Sequence, residues 1–241
     1  MKLPYSEYVA AVRREGASLR AAAAQGLDVD VRSCPGWTVS DLVSHVAVIY
    51  RRVALILSTR ATTSPPRDSS LPEGDLLEVF GEFLDDVVGQ LAEAAPDTPV
   101  WNWSEDEQVA AFWARRMAHE SSIHRFDAQQ AHGMPEPIVS DLAADGLDEM
   151  IDIIIPRVVS RDDVSLGDGE LTLRSSEDRE WRLRLCADGV ERIDVTSSDA
   201  PVVSGTTSLL LLAVTGRVPW DATEISGDRQ VLEHWTTALR F

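Results

Sequence analysis

The sequence predicts an α+β protein: a helical bundle over residues 1 to 160, then a smaller α+β domain over residues 161 to 241. Three observations carry that expectation. Up to residue 160 apolar residues recur at three- and four-residue steps, the period of amphipathic helices. Stretches rich in Pro, Gly, Ser or Thr interrupt that pattern and punctuate it into helices and loops. From residue 161 the pattern changes to short alternating runs with Asp-Gly turns between them, as strands require.

The elements follow in order. Residues 5 to 26 read as a first helix, with Tyr8, Val12 and Leu19 among its apolar positions. Cys34-Pro35-Gly36-Trp37 is a turn into a second helix, at about 38 to 60. Thr38 and Asp41 form a capping box with Asp in the Glu place, and Leu42, Val46, Ile49 and Val53 make the apolar stripe behind it. Thr62 to Pro72 is a loop. The third helix, about 73 to 95, turns Leu77, Phe80, Leu84, Val87, Val88 and Leu91 inward. After a connector from Pro96 to Trp103 comes a fourth helix, about 105 to 132, stopped by His132-Gly133 and Pro135. A further helix runs from Ser140 to about Ser160, where Pro156 can kink its end. Strands are expected over Glu170 to Arg174, Trp181 to Leu185 and Val190 to Val195. Helices are expected over Thr206 to Gly216 and residues 227 to 240.

The fourth helix carries the chemistry. From Trp113 to Ala131 it has no Pro, no Gly and a single β-branched residue, so helix is the default. Trp113, Met117, Glu120, His124, Asp127 and Ala131 share one face. Trp and Met mark that face as core, yet a buried carboxylate beside a buried imidazole is costly unless paired or bound to a metal. Glu120 and His124, at i and i+4, can reach one cation from one side. His45, one turn past Asp41 and beside the apolar stripe of the second helix, is the best third donor. A His-Glu-His set with an open fourth position is a zinc-enzyme pattern. Each residue also has a plainer reading. His45 can be a hydrogen-bonded core histidine, and Glu120 and His124 can pair with Arg115, Arg116 or Arg125. Asp127 can orient a ligand imidazole or face Arg125 or solvent. His119 is expected at the surface, His132 and His234 as capping or surface residues, and Trp37 as a staple for the second helix.

Composition bounds the function. A formal net charge of -18 repels nucleic-acid backbones and anionic membranes, so neither is expected as a partner. Lys2 is the only lysine among 22 basic residues, which argues against Schiff-base and P-loop lysine chemistry. Cys34 and Cys186 lie far apart without metal spacing, and a reducing cytoplasm is the simpler reading. The first residues lack a signal-peptide core, and no apolar run is expected to reach transmembrane length.

Pro35-Gly36-Trp37-Thr38-x-x-Asp41-Leu42-x-x-His45 resembles the metal-site opening of DinB-like four-helix bundles, and Glu120-x-x-x-His124-x-x-Asp127 resembles its second half. With the C-terminal α+β domain, the chain resembles the mycothiol-dependent maleylpyruvate isomerase family of actinobacteria. The resemblance implies a DinB-like up-down four-helix bundle with the zinc, or another divalent metal, on His45, Glu120 and His124. It implies mycothiol as thiol cofactor and a small carboxylated electrophile as substrate. The metal favours the thiolate, the nucleophilic form, which in the family adds to the cis double bond of maleylpyruvate and leaves after rotation to give fumarylpyruvate. A thiol S-transferase making a stable conjugate, or a non-catalytic DinB-like metal-binding or regulatory module, remains open. The family's functional arginine lies in a Gly-Arg pair after Ser-Gly and a helix. Ser204-Gly205, Leu209 to Thr215 and Gly216-Arg217 match it, so Arg217 is the expected catalytic residue, pairing with substrate carboxylates. Arg217 can instead be a charge complementing the helix C-terminus. Monomer and homodimer are both open.

Overall fold

A computed structural model describes residues 2–104, 107–162, 164–186 and 189–238. It has two compact units, one running Leu3–Glu136 and the other formed by the chain from Pro137 onward.

The first unit is a bundle of four helices: α1 (Tyr5–Ala23), α2 (Val39–Thr59), α3 (Leu76–Glu93) and α4 (Ala110–Ala131). Their directions follow from side-chain contacts. Tyr8 meets His119 and Glu15 meets Arg125, so α1 and α4 run the same way. Tyr5 reaches the Leu91 carbonyl while Gly16 packs on Leu84, so α3 runs against α1. His45 meets His124 while Tyr50 meets Ser121, so α2 runs against α4. Hence α2 and α3 point the same way, which departs from the alternation of the expected up-down bundle, and the segment between them must cross the length of the bundle. That requirement explains the long Ser/Thr/Pro-rich stretch at 60 to 75.

The expected Thr38–Asp41 capping box is present: the Thr38 N–H donates to Asp41 Oδ2 at 2.9 Å and the Asp41 N–H to Thr38 Oγ1 at 3.3 Å. Leu42, Val46, Val53, Phe80, Leu84, Val87, Val88 and Leu91 are buried, as their spacing requires. By length and apolarity α2 could cross a membrane, contrary to the expectation that no apolar run reaches that length; here its buried side chains form the bundle core. The fourth helix starts at Ala110, later than expected, because Val109 pairs with Pro99 in an isolated bridge and Gln108 is tied to Asn102. The expected start at 105 and 106 lies outside the described residues.

The second unit opens with α5 (Ser140–Glu149), a π-helical turn (Met150–Ile154) and α6 (Ile155–Asp162). Pro156 has no N–H to give to the carbonyl four residues back, and its ring crowds that carbonyl. The helix answers by widening: the Ile155 N–H reaches back five residues to the Met150 carbonyl. A mixed sheet follows, β1 (Gly169–Ser175), β2 (Glu180–Cys186), β3 (Gly189–Arg192), β4 (Val202–Gly205) and β5 (Glu224–Ser226), in the order β3-β2-β1-β4-β5. Strands β1 and β4 are parallel; the other neighbours are antiparallel. Helix α7 (Thr207–Val214) and helix α8 (Gln230–Ala238) complete the unit; residues 239 and 240 of the expected last helix lie outside the described residues. The division at 136/137 comes before the change of pattern at 161 because α5 belongs with the sheet domain. The Ile138 N–H donates to Ser208 Oγ at 2.9 Å, and α5 packs on α7. Strands β4 and β5 have four and three residues, too few for alternation to show in the sequence.

Inside the bundle a buried ion pair ties α1 to α4. Arg125 Nε lies 2.9 Å from Glu15 Oε2, with side chains 4% and 5% exposed. The same guanidinium donates to Gln129 Oε1 at 2.7 Å and to the Glu136 carbonyl at 2.6 Å. Arg125→Met removes the buried partner of Glu15, leaving half-exposed Arg14 on Oε1 at 2.9 Å, and should cost about 3 kcal/mol, measured by urea unfolding. Adding Glu15→Leu to that variant should recover most of the loss.

Candidate metal centre

Helix α4 is buried on almost every side. Arg115, His119, Ser121, Ser122, His124, Arg125 and Asp127 are all within 7% of full burial. So many polar groups can stay inside only if each has a partner. His119, expected at the surface, is one of them: it is 3% exposed, with Tyr8 edge-on to its ring at 6.3 Å. The α1 contact covers the face that residue spacing alone assigns to solvent.

On the α2 side of α4 the three expected ligands come together. Glu120 Oε1 lies 3.3 Å from His45 Nε2 and 3.3 Å from His124 Nε2. The three donor atoms all fall within 4.8 Å of one another, and among the described residues no other His, Cys, Asp or Glu joins them. A tetrahedral ion bound at about 2.0–2.1 Å sets its ligand atoms roughly 3.3 Å apart. The donor set and its spacing therefore fit a zinc-like cation.

The surroundings fix each ligand. His124 Nδ1 donates to Asp127 Oδ2 at 3.0 Å, and the Ser33 hydroxyl donates to Asp127 Oδ1 at 2.6 Å. Asp127 thus sits behind the imidazole, fully buried, and aims Nε2 at Glu120. This placement excludes the alternative that Asp127 faces solvent. The turn that carries Ser33 is built by backbone bonds from Val31 to Trp37, Cys34 to Val31 and Trp37 to Cys34, with Gly36 at φ +85° where a side chain would be strained. Trp37 lies against His45, ring centroids 5.0 Å apart, so it walls the ligand besides leading into α2. On the other side of Glu120, Arg116 Nη2 contacts Oε2 at 2.7 Å. Sequence spacing placed Arg116 only as a generic helix partner; Ser33 carried no signal that separates it from any turn serine.

Electrostatics follow from these contacts. Burial opposes charge on Glu120, but Arg116 and the two imidazoles overcome it and hold its carboxyl well below the usual carboxylate range. Burial likewise opposes charge on His124, yet Asp127 and Glu120 push it up to about 9. With Nδ1 committed to Asp127, a neutral His124 would turn a lone pair toward Glu120 Oε1. Either a proton or a cation must lie between them.

Arg217 belongs to the C-terminal unit. Gly216, at φ +71°, turns the chain out of α7, and Arg217 Nη1 donates to the Thr215 carbonyl at 2.8 Å. The side chain is 8% exposed and lines a cavity of about 620 Å³ with Trp220 and Trp235.

The model of the mycothiol maleylpyruvate isomerase N-terminal domain matches residues 9–129, and that of the family's C-terminal domain matches residues 141–234. The chain belongs to the mycothiol maleylpyruvate isomerase family. The crystal structure of the mycothiol-dependent maleylpyruvate isomerase is similar at 17% identity and a TM-score of 0.62. That of a histidine-to-alanine mutant of the isomerase is similar at 18% identity and a TM-score of 0.63. Each match covers 93% of this chain and 93% of the other. At that identity the likeness is one of fold, and it bears out the α+β reading. No curated protein matches the chain by sequence.

The raised His124 value sets a pH dependence for metal-free protein. A group whose folded value, about 9, exceeds its ordinary 6.5 stabilises the fold fully below 6.5. That contribution shrinks above 6.5 and is gone once pH has risen through about 9. Chelator-treated protein should therefore lose stability between these limits, on the order of 3 kcal/mol. His124→Gln should flatten that part of the profile in thermal unfolding.

Proposed function

We propose that this protein is a thiol-dependent metal enzyme of the maleylpyruvate isomerase type. It would use mycothiol and a divalent cation, zinc by fit, for cis–trans isomerisation of a carboxylated electrophile. The observation that carries the reading is Glu120 Oε1 at 3.3 Å from both imidazole nitrogens, within a chain of this family. Three protein ligands are the complement of catalytic zinc sites. A fourth protein ligand would close the site, but Asp127 is committed behind His124, and neither it nor His119 joins the cluster. That placement supports an enzyme over a structural metal module.

The roles divide by residue. His45, Glu120 and His124 hold the cation, which supplies acidification of a coordinated thiol at neutral pH. Asp127 and Ser33 keep His124 Nε2 in place. Trp37 shields one side of His45. Neither Cys34 nor Cys186 is held in a disulfide, and neither joins the cluster of His45, Glu120 and His124, which supports an exogenous thiol as nucleophile. Arg217 is the proposed partner of a substrate carboxylate. Its burial in a cavity supports binding, whereas its bond to the Thr215 carbonyl is also what a helix-terminal arginine makes.

Elemental analysis of protein purified without chelator should find about one divalent ion per chain. The His45→Ala, His124→Ala double variant should have none; full retention of metal there sinks the site. Turnover of a panel of cis-unsaturated acids and alkylating electrophiles with mycothiol then separates an isomerised product from a thiol conjugate.

Arg217→Lys should lose roughly 2 kcal/mol of transition-state stabilisation on a carboxylated substrate, because an ammonium cannot reproduce the guanidinium fork. Metal content and melting temperature should not move. Wild-type kcat/KM in Arg217→Ala would reduce this arginine to a helix cap.

A further inference from the structure

Glu120 has two carboxylate oxygens, and the structure gives them separate tasks. Oε1 faces both imidazoles at 3.3 Å, while Oε2 is taken by Arg116 Nη2 at 2.7 Å. Both side chains are largely buried, at 13% and 15% exposure, so water competes little for that contact.

The pair is not explained by helix stability. Arg116 precedes Glu120 by four residues, whereas the stabilising order on a helix puts the acid first. Arg116 also offsets the cost of burying the Glu120 charge, but charge compensation alone does not require it to take Oε2 in particular. What the contact does geometrically is hold one oxygen away from the point where the three donors converge. A carboxylate free at both oxygens can bind a cation through one or through both. Two-oxygen binding would consume the coordination position that a catalytic site keeps open.

We propose that Arg116 is a positioning residue that restricts Glu120 to one-oxygen metal binding and so keeps a coordination position free for a thiol. The inference rests on the metal-site reading above. It assigns Arg116 no contact with substrate or thiol. Its effect is on how Glu120 binds and not on whether the ion is held.

Cobalt(II) substitution tests this, because the visible spectrum reports coordination number and a thiolate ligand adds a charge-transfer band. Wild-type protein should give the intense spectrum of a four-coordinate ion and a charge-transfer band on titration with a small thiol such as mercaptoethanol. Arg116→Met should still bind one cobalt, with a weaker, five-coordinate spectrum. Its thiol titration should shift to roughly 10- to 100-fold higher concentration, the scale of an outer-shell loss. Arg116→Lys keeps a donor to Oε2 and should restore most of the wild-type spectrum and titration. An Arg116→Met protein with unchanged spectrum and thiol titration overturns the proposal. So does a folded Arg116→Met protein that no longer binds cobalt, since Arg116 would then serve retention of the ion. If cobalt fails to bind wild-type protein, or binds the His45→Ala, His124→Ala variant equally well, the metal-site reading itself falls instead.

Discussion

The structure depends on one constraint: α4 carries charged and polar side chains through the middle of a helical bundle, and none of them can be left without a partner. Apolar packing would tolerate almost any rotation of such a helix. Its polar residues do not. Arg125 must meet Glu15 on α1, and Ser121 must meet Tyr50 on α2. On that same α2 side Glu120 and His124 must meet His45. These pairings fix the rotation and axial position of α4 against its neighbours at the cost of buried charge, which helps specify one arrangement rather than adding net stability.

The same constraint explains which parts of the site are legible in the sequence. Glu120, His124 and Asp127 stand out because polar residues at three- and four-residue steps interrupt a face otherwise marked by Trp113 and Met117. His45 stands out because it follows a capping box that fixes where α2 begins. The sequence is silent where the partner comes from an unrelated segment. Ser33 reaches Asp127 across 94 positions from an ordinary-looking turn. His119 looks exposed by its angle on the helix, and is buried only because α1 runs alongside that face. Helical periodicity assigns a residue an angle, but which angles are covered depends on how the helices are arranged. That arrangement turns on a crossover between α2 and α3 that periodicity cannot see.

The C-terminal unit shows the converse. Its long strands and α7 are visible in alternation and in the Leu-rich run, but β4 and β5 are too short to carry a pattern and exist through pairing alone. The early helix α5 reads as a continuation of the bundle because one amphipathic helix looks like another. Its packing on α7, and the bonds of Asp148 to Trp181 and Arg192, assign it to the sheet. Arg217 is marked in sequence by the Gly-Arg step, and Gly216 turns there as expected. Its bond to the Thr215 carbonyl suits a helix terminus, and its place in the cavity suits a ligand.

In the proposed metal site a proton and a cation would compete for the place between His124 and Glu120. Asp127 fixes His124 so that Nε2 points at Glu120 whether or not a metal is bound. A proton held between them satisfies the buried groups and keeps the donors apart at about the spacing an ion needs. A bound ion would displace that proton from a position already shaped for it. Two imidazoles and a single carboxylate oxygen favour zinc over calcium or magnesium, which ask for more oxygen ligands. A second oxygen from Glu120 would blur that preference. On the proposed role of Arg116, its guanidinium on Oε2 would bear on metal choice as well as on the open position, through one hydrogen bond.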